Sequence, residues 1–273
     1  MRAILVIVSF VVFSLLVGTV FAVTAEILGP TAVNVSDGGT LNLGKIGPGQ
    51  TIDIVANGVA QDARFGLEGR WQILRVVTVP AGWQGFDSKE LATTMKAGVK
   101  AAPDARDGEY KITFRLEEDP NKQQELGSVT FQANVVVSRS VITATIPQDT
   151  AITGVGQPAR YTIILKSTSI ANDVFEISAE DVPAWSYKKF VHVPAGGTVN
   201  TFYEIVANEE KEYKPTIVIK SQASNETQIS KQVSLAVKSD LIGDIKATKN
   251  GVLIFPIVLE SLYSLLGIIG SFI

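Results

Sequence analysis

The chain has 273 residues, no cysteine, one histidine and a net charge of −3. Length and apolar content suffice for one large core or two ordinary ones, while the charge excludes a basic field that holds nucleic acid through its phosphates. Without cysteine there are no disulfides, and with a single histidine most metal and nucleophile chemistry is excluded, so no cofactor and no catalytic site are expected.

The first segment, "MRAILVIVSFVVFSLLVGTVFAVTAE", places Arg2 before an apolar run from Ala3 to Ala22. Val20-Phe21-Ala22 has the small-residue spacing of a cleavage site, which predicts a signal peptide over 1–22. The run is also long enough to remain as an uncleaved anchor. Either way Arg2 stays on the cytoplasmic face, and the residues that follow lie outside.

Beyond it the pattern is that of strands. "TIDIVANG" (Thr51–Gly58) alternates, and in "SVTFQANVVVS" (Ser128–Ser138) Val129, Phe131, Ala133, Val135 and Val137 share one face. Between them lie "GRWQILRVV", "VPAGW" (Val79–Trp83), a stretch Ser88–Lys100 expected to make a helical turn or two, and "DARDGEY". Glu117, Glu118 and Asp119 before Pro120-Asn121 read as a solvated hairpin loop, because they lack the alternating oxygen ligands of a calcium loop. Asp104 and Asp107 belong first to a turn and are weak metal candidates.

The second half repeats the first. "GPGQTIDI" (Gly47–Ile54) is answered by "GVGQPARYTIIL" (Gly154–Leu165), and "VPAGW" by "VPAW" (Val182–Trp185). "YKITFRL" (Tyr110–Leu116) is answered by "YKPTIVI" (Tyr213–Ile219). Each tyrosine strand precedes a second alternating run ending in serine, Ser138 or Ser239. Four landmarks in one order at nearly one spacing mark one module built twice. Pro and Gly at short intervals predict an all-β chain, and the repeat makes it two tandem β-sandwiches, 23–139 and 140–239, which the resemblance given below implies are immunoglobulin-like. Trp83 and Trp185 would supply core area, and the tyrosines of "DGEY" and "EKEY" stand where a hydroxyl would pin a corner to nearby backbone. Pro215 cannot donate to a ladder, so its strand is expected at an edge or at a bulge. His192 in "KKFVHVPAGG" reads as a solvent-facing or packed strand residue, with no serine or cysteine motif beside it.

A polar stalk, 240–250, leads into an apolar segment, and a transmembrane helix is predicted over 251–273. Glu260, Ser264, Gly267 and Ser271 are spaced four, three and four apart, which aligns them on one face as a candidate association surface. Pro256 would bend the helix one turn earlier.

The landmarks resemble the immunoglobulin-like domain associated with alpha-galactosidases (the NPCBM-associated domain), found in tandem in archaeal surface and membrane proteins. That pattern runs from a glycine turn and strand through Pro-x-Gly-Trp to a Gly-x-Tyr strand. The first copy carries "PAGW" and "DGEY", and the second has lost both glycines, in "PAW" and "EKEY". The resemblance covers most of residues 40–238. It implies a non-catalytic module that spaces, displays or binds, and it transfers no active site.

Candidate binding residues are then few. Trp71 has no aromatic counterpart in the second copy; core packing is one account of it, and the other is an exposed platform for a sugar, flanked by Arg70 and Arg75. Asn34 ("NVS") and Asn225 ("NET") are glycan acceptors if the chain meets a transferase on export. The sequence thus points to a cell-membrane protein with an extracellular ectodomain, acting as an envelope scaffold or binding protein. The alternatives are an accessory subunit of a transporter, translocon or glycosylation complex, and a carbohydrate-binding module. Its expected partners are the membrane and a protein or second copy along the terminal helix, with a glycan possible and no nucleic acid.

Overall fold

The computed structural model describes residues 23–60, 69–118, 127–182 and 186–238. The expected signal peptide, Trp185, the stalk and the terminal helix with Glu260, Ser264, Gly267 and Ser271 lie outside the described residues. Regular structure among the described residues is β-strand, and none of it is a helix long and apolar enough to cross a membrane.

The first ten strands are β1 (Thr24–Gly29), β2 (Val33–Ser36), β3 (Thr40–Ile46), β4 (Thr51–Asn57) and β5 (Val59–Ala60), then β6 (Gly69–Thr78), β7 (Gln84–Phe86), β8 (Thr94–Lys100), β9 (Gly108–Glu118) and β10 (Val129–Val137). They form two five-stranded sheets, β2-β1-β4-β8-β7 and β3-β10-β9-β6-β5. Alternation does what the sequence suggested: Val129, Phe131, Ala133, Val135 and Val137 are all buried, and Phe131 stacks on Phe114 with ring centroids 5.5 Å apart. Ser88–Lys100 is not helical. Its second half is β8, with Met95, Ala97 and Val99 buried on one face; the period of two overrides whatever helix propensity the stretch has.

The second ten are β11 (Ile142–Thr145), β12 (Thr150–Thr153), β13 (Pro158–Ser167), β14 (Asp173–Glu180) and β15 (Lys189–Val193), then β16 (Thr198–Val206), β17 (Glu212–Tyr213), β18 (Thr216–Ser221), β19 (Gln228–Gln232) and β20 (Ser234–Val237). Their sheets run β11-β13-β16, β12-β20-β17 and β15-β14-β18-β19. The core between them is built on Tyr161, Leu165, Phe175, Tyr203, Ile219 and Leu235. Each large side chain so enclosed contributes on the order of 1.5–3 kcal/mol.

The two sets share a common arrangement of strands. β1-β4-β8 corresponds to β11-β13-β16, and β3-β10-β9-β6 to β12-β20-β17 continued by β18-β14. β12 pairs β20 in parallel, Thr150 opposite Ser234 through Thr153 opposite Val237. β3 and β10 advance together as well, for Gln132 N donates to Gly39 O and Ser138 N to Ile46 O. In both sets, then, the last strand, β10 or β20, runs parallel to an early one, β3 or β12. The Gly-Gln turns also match: Gln50 N donates to Gly47 O at 3.3 Å and Gln157 N to Gly154 O at 3.2 Å. The middle glycines, Gly49 and Gly156, take left-handed φ of 70° and 74° and donate to Ala102 O and Ala207 O.

Pro215 does not sit on an edge strand. β18 is an inner strand between β14 and β19, and Pro215 falls in the gap where the chain leaves β17 in one sheet for β18 in the other. Having no N–H, it breaks the ladder there, and its carbonyl accepts from Val233 N at 2.9 Å, in the matching gap between β19 and β20. Tyr213 Oη donates to Glu209 O at 3.2 Å, the corner pin its position called for. Tyr110 lies against Trp83, with ring centroids 5.2 Å apart.

The chain divides into two compact units. The first takes Met1–Leu43, Ile52–Lys100 and Glu109–Val135; the second takes Gly44–Thr51, Ala101–Gly108 and Val136–Ile273.

Candidate functional site

Strand parity decides the first candidate. On β6, Arg70 and Arg75 point outward while Trp71 points inward, and Trp71 is 1% exposed. A ring with no free face cannot stack a sugar, so the platform of Trp71 with Arg70 and Arg75 is corrected to a core position. Its indole Nε1–H has no acceptor among the described residues. Arg75 is engaged too: it binds Glu117 at 2.6 Å and Asp87 at 3.3 Å, and Asp87 also accepts from Val76 N at 2.8 Å. Glu117's hydrogen bond and charge hold the guanidinium proton more firmly than usual.

Asn34 is exposed on β2 opposite Glu26. Asn225 is exposed in the turn between β18 and β19, but the Thr227 of its sequon is buried, with an Oγ1 that has no partner among the described residues. His192 is exposed on β15 between buried Val191 and Val193. Asp107 accepts from the Arg139 side chain at 3.3 Å, and Glu118 from Gly127 N at 2.9 Å. Among the described residues no group of three metal-ligating side chains converges.

The polar cluster that the structure does assemble lies inside the second unit and went unseen in the sequence. Its centre is Asp173, the first residue of β14 and 8% exposed. Oδ1 accepts from Val174 N at 2.7 Å, and Oδ2 from Gln50 Nε2 at 2.8 Å and Ser221 Oγ at 2.7 Å. Gln50 Oε1 in turn accepts from Gly47 N at 2.7 Å and Ser169 Oγ at 2.6 Å. Ser221 Oγ accepts from Ala223 N, Ser169 Oγ from Ala171 N, and Ser224 Oγ donates to Pro103 O. Only one signal pointed here, the Gln of the "GPGQ" turn. Its repeat partner Gln157 is only half-buried, so the motif alone does not tell the two apart.

What this cluster can do follows from its donors. Each carboxylate and amide oxygen named is taken by N–H or O–H groups, and each serine hydroxyl is taken on both sides. Among the described residues the hydrogen-bond partners of this cluster are amides, hydroxyls and a carboxylate, with no imidazole or ammonium among them. A buried carboxylate without a cation must be met by hydrogen bonds, and here it is. Its work is to hold the Gly47–Gln50 turn, the start of β14 and the turn after β18 in one arrangement. Asp173→Ala should accordingly lower stability by about 2–3 kcal/mol, since it strands buried donors, and Ser221→Ala by about 1 kcal/mol. Urea midpoints of the two variants measure both.

No protein-family model matches the chain, and no curated protein matches it. Among solved structures, it is similar to the ASH/PapD-like domain 7 of human CEP192 at 8% identity, covering 37% of this chain and 86% of that one, with a TM-score of 0.29. A chimeric titin Z1Z2 pair is similar at 12% identity over 81% of this chain and all of that one, with a TM-score of 0.35. A titin Ig tandem gives 10% identity, 81% and 100% coverage, and a TM-score of 0.26. At these TM-scores none of them carries an argument. The immunoglobulin-like description rests on strand order and pairing in the chain itself.

Proposed function

We propose that this is a non-catalytic protein of the cell exterior, tethered in the membrane, that scaffolds an envelope layer or binds another macromolecule through its β-sandwiches. The observation that carries the reading is the use of its polar groups. Asp173, Gln50 and their serines are spent on one another inside the second unit, and Tyr213 on a backbone pin, rather than presented around a cleft. The sequence adds apolar runs at 3–22 and 252–273 on either side of the strands. The stripe of Glu260, Ser264, Gly267 and Ser271 supports a second reading, an accessory subunit seated along a polytopic partner.

Protease added outside intact cells tests the first reading. The region 23–239 should be digested while a cytoplasmic control survives until lysis. Protection of that region would overturn the exterior assignment. Copurification from mild detergent in fixed stoichiometry with a polytopic protein would favour the accessory subunit over the scaffold.

A further inference from the structure

In the first set of strands the free edge of β8 is covered: β7 pairs with it, Gln84 opposite Lys100 through Phe86 opposite Gly98. In the second set the corresponding strand, β15, pairs instead with β14, Asp173 opposite Val193 through Ile177 opposite Lys189. Among the described residues β16 is left as the terminal strand of β11-β13-β16, nine residues long and fully paired to β13 along its other side. A long strand ending a sheet presents a row of backbone donors and acceptors to any other strand.

Two side chains stand on that row. Lys189 Nζ donates to Phe202 O at 2.8 Å, and Tyr187 Oη accepts from Glu204 N at 3.2 Å. Both Phe202 O and Glu204 N therefore face away from β13, and the period of two puts the N–H and C=O of Asn200 on the same edge. The segment is fastened there. Tyr187 stacks on Tyr203 with centroids 4.6 Å apart, Tyr203 Oη donates to Tyr187 O at 2.6 Å, and the Lys189 ammonium lies 3.7 Å from the Phe202 ring centroid.

We propose that the edge of β16 is a strand-pairing surface for a second copy of this chain, held closed by Tyr187 and Lys189. Self-pairing is favoured by the strand's own sequence. Set antiparallel to itself about Phe202, β16 places its one charged residue, Glu204, opposite Asn200, and Thr198 opposite Val206, so no like charges of the strand itself meet. Lys189 guards the edge twice, by occupying Phe202 O and by presenting an ammonium to an identical ammonium on the approaching copy.

The test uses the full chain in mild detergent, where light scattering and sedimentation measure self-association of Tyr187→Phe/Lys189→Thr against the unaltered protein. Phe keeps the stack on Tyr203 and gives up the Oη that accepts from Glu204 N; Thr suits a strand and removes the charge. The double variant should associate about tenfold more tightly, as expected for two freed hydrogen-bonding groups. Adding Asn200→Pro, which removes an N–H that β13 does not use, should return it to the unaltered level. No gain in the double variant, or a gain that Asn200→Pro leaves in place, overturns the proposal. Should the double variant lose its urea transition, Lys189→Gln alone is the second probe. It should show a smaller gain that the same proline abolishes, and no gain overturns the proposal equally.

Discussion

Gly49→Ala should destabilise the second unit by roughly 3–5 kcal/mol, whereas Gly156→Ala, the same change at the equivalent turn position, should cost only about 1 kcal/mol. Both glycines sit at a left-handed φ, so both substitutions carry the conformational penalty of a Cβ there. They differ in what the new atom meets. At Gly156 nothing lies within 4 Å, while at Gly49 the carbonyl oxygen of Ala223 would be 1.9 Å away. That oxygen belongs to main chain, so no side chain can swing aside to relieve the overlap. Ala223 also follows Ser221, whose hydroxyl holds both Ala223 N and the Asp173 carboxylate, so the turn cannot withdraw without disturbing that cluster. The second unit contains both positions, and one urea transition reports both. Equal midpoints for the two variants would show that the turn after β18 gives way, and the tight fit at Gly49 would then not hold.

Trp71→Ala should lower the stability of the first unit by about 3–5 kcal/mol, as for other buried aromatic residues cut to alanine. Trp71→Phe should cost under about 1.5 kcal/mol. Phenylalanine keeps most of the apolar volume and removes the one polar group, Nε1–H, that has no acceptor among the described residues. A surface platform would behave otherwise, with stability within about 0.5 kcal/mol of the original for either change. Chemical denaturation of the two variants separates these outcomes without any ligand in hand.

Read from residues alone, the repeat was legible because it is written in turns and alternation. The Gly-Gln turns, the tyrosine strands and the five apolar positions of β10 are local features, fixed by backbone conformation and by the period of two. Trp71 was ambiguous for a related reason. Its inward parity is visible only once the register of β6 is known, and the strand carries a shift between Trp71 and Ile73 that a strict alternation would miss. Ser88–Lys100 was misread because its alternation, Met95, Ala97 and Val99, spans only five residues, too few to fix a period before a neighbouring strand claims it. Pro215 was rightly read as a ladder breaker, but where a broken strand goes next is decided by which sheet has room for its continuation.

By itself, then, the sequence determined the class of fold and the repetition of its turns and strands. The partnership of Gln50 with Asp173, residues 123 apart in the chain, was decided only by tertiary packing, as was the capping of β16 by Tyr187 and Lys189. The physical reason is the range of the forces involved. Turn preferences and alternation act over a few residues, so they leave a trace in the local string. A buried carboxylate or an open strand edge is instead satisfied by whichever donors the folded chain brings within about 3 Å, and those come from segments whose proximity no local pattern records.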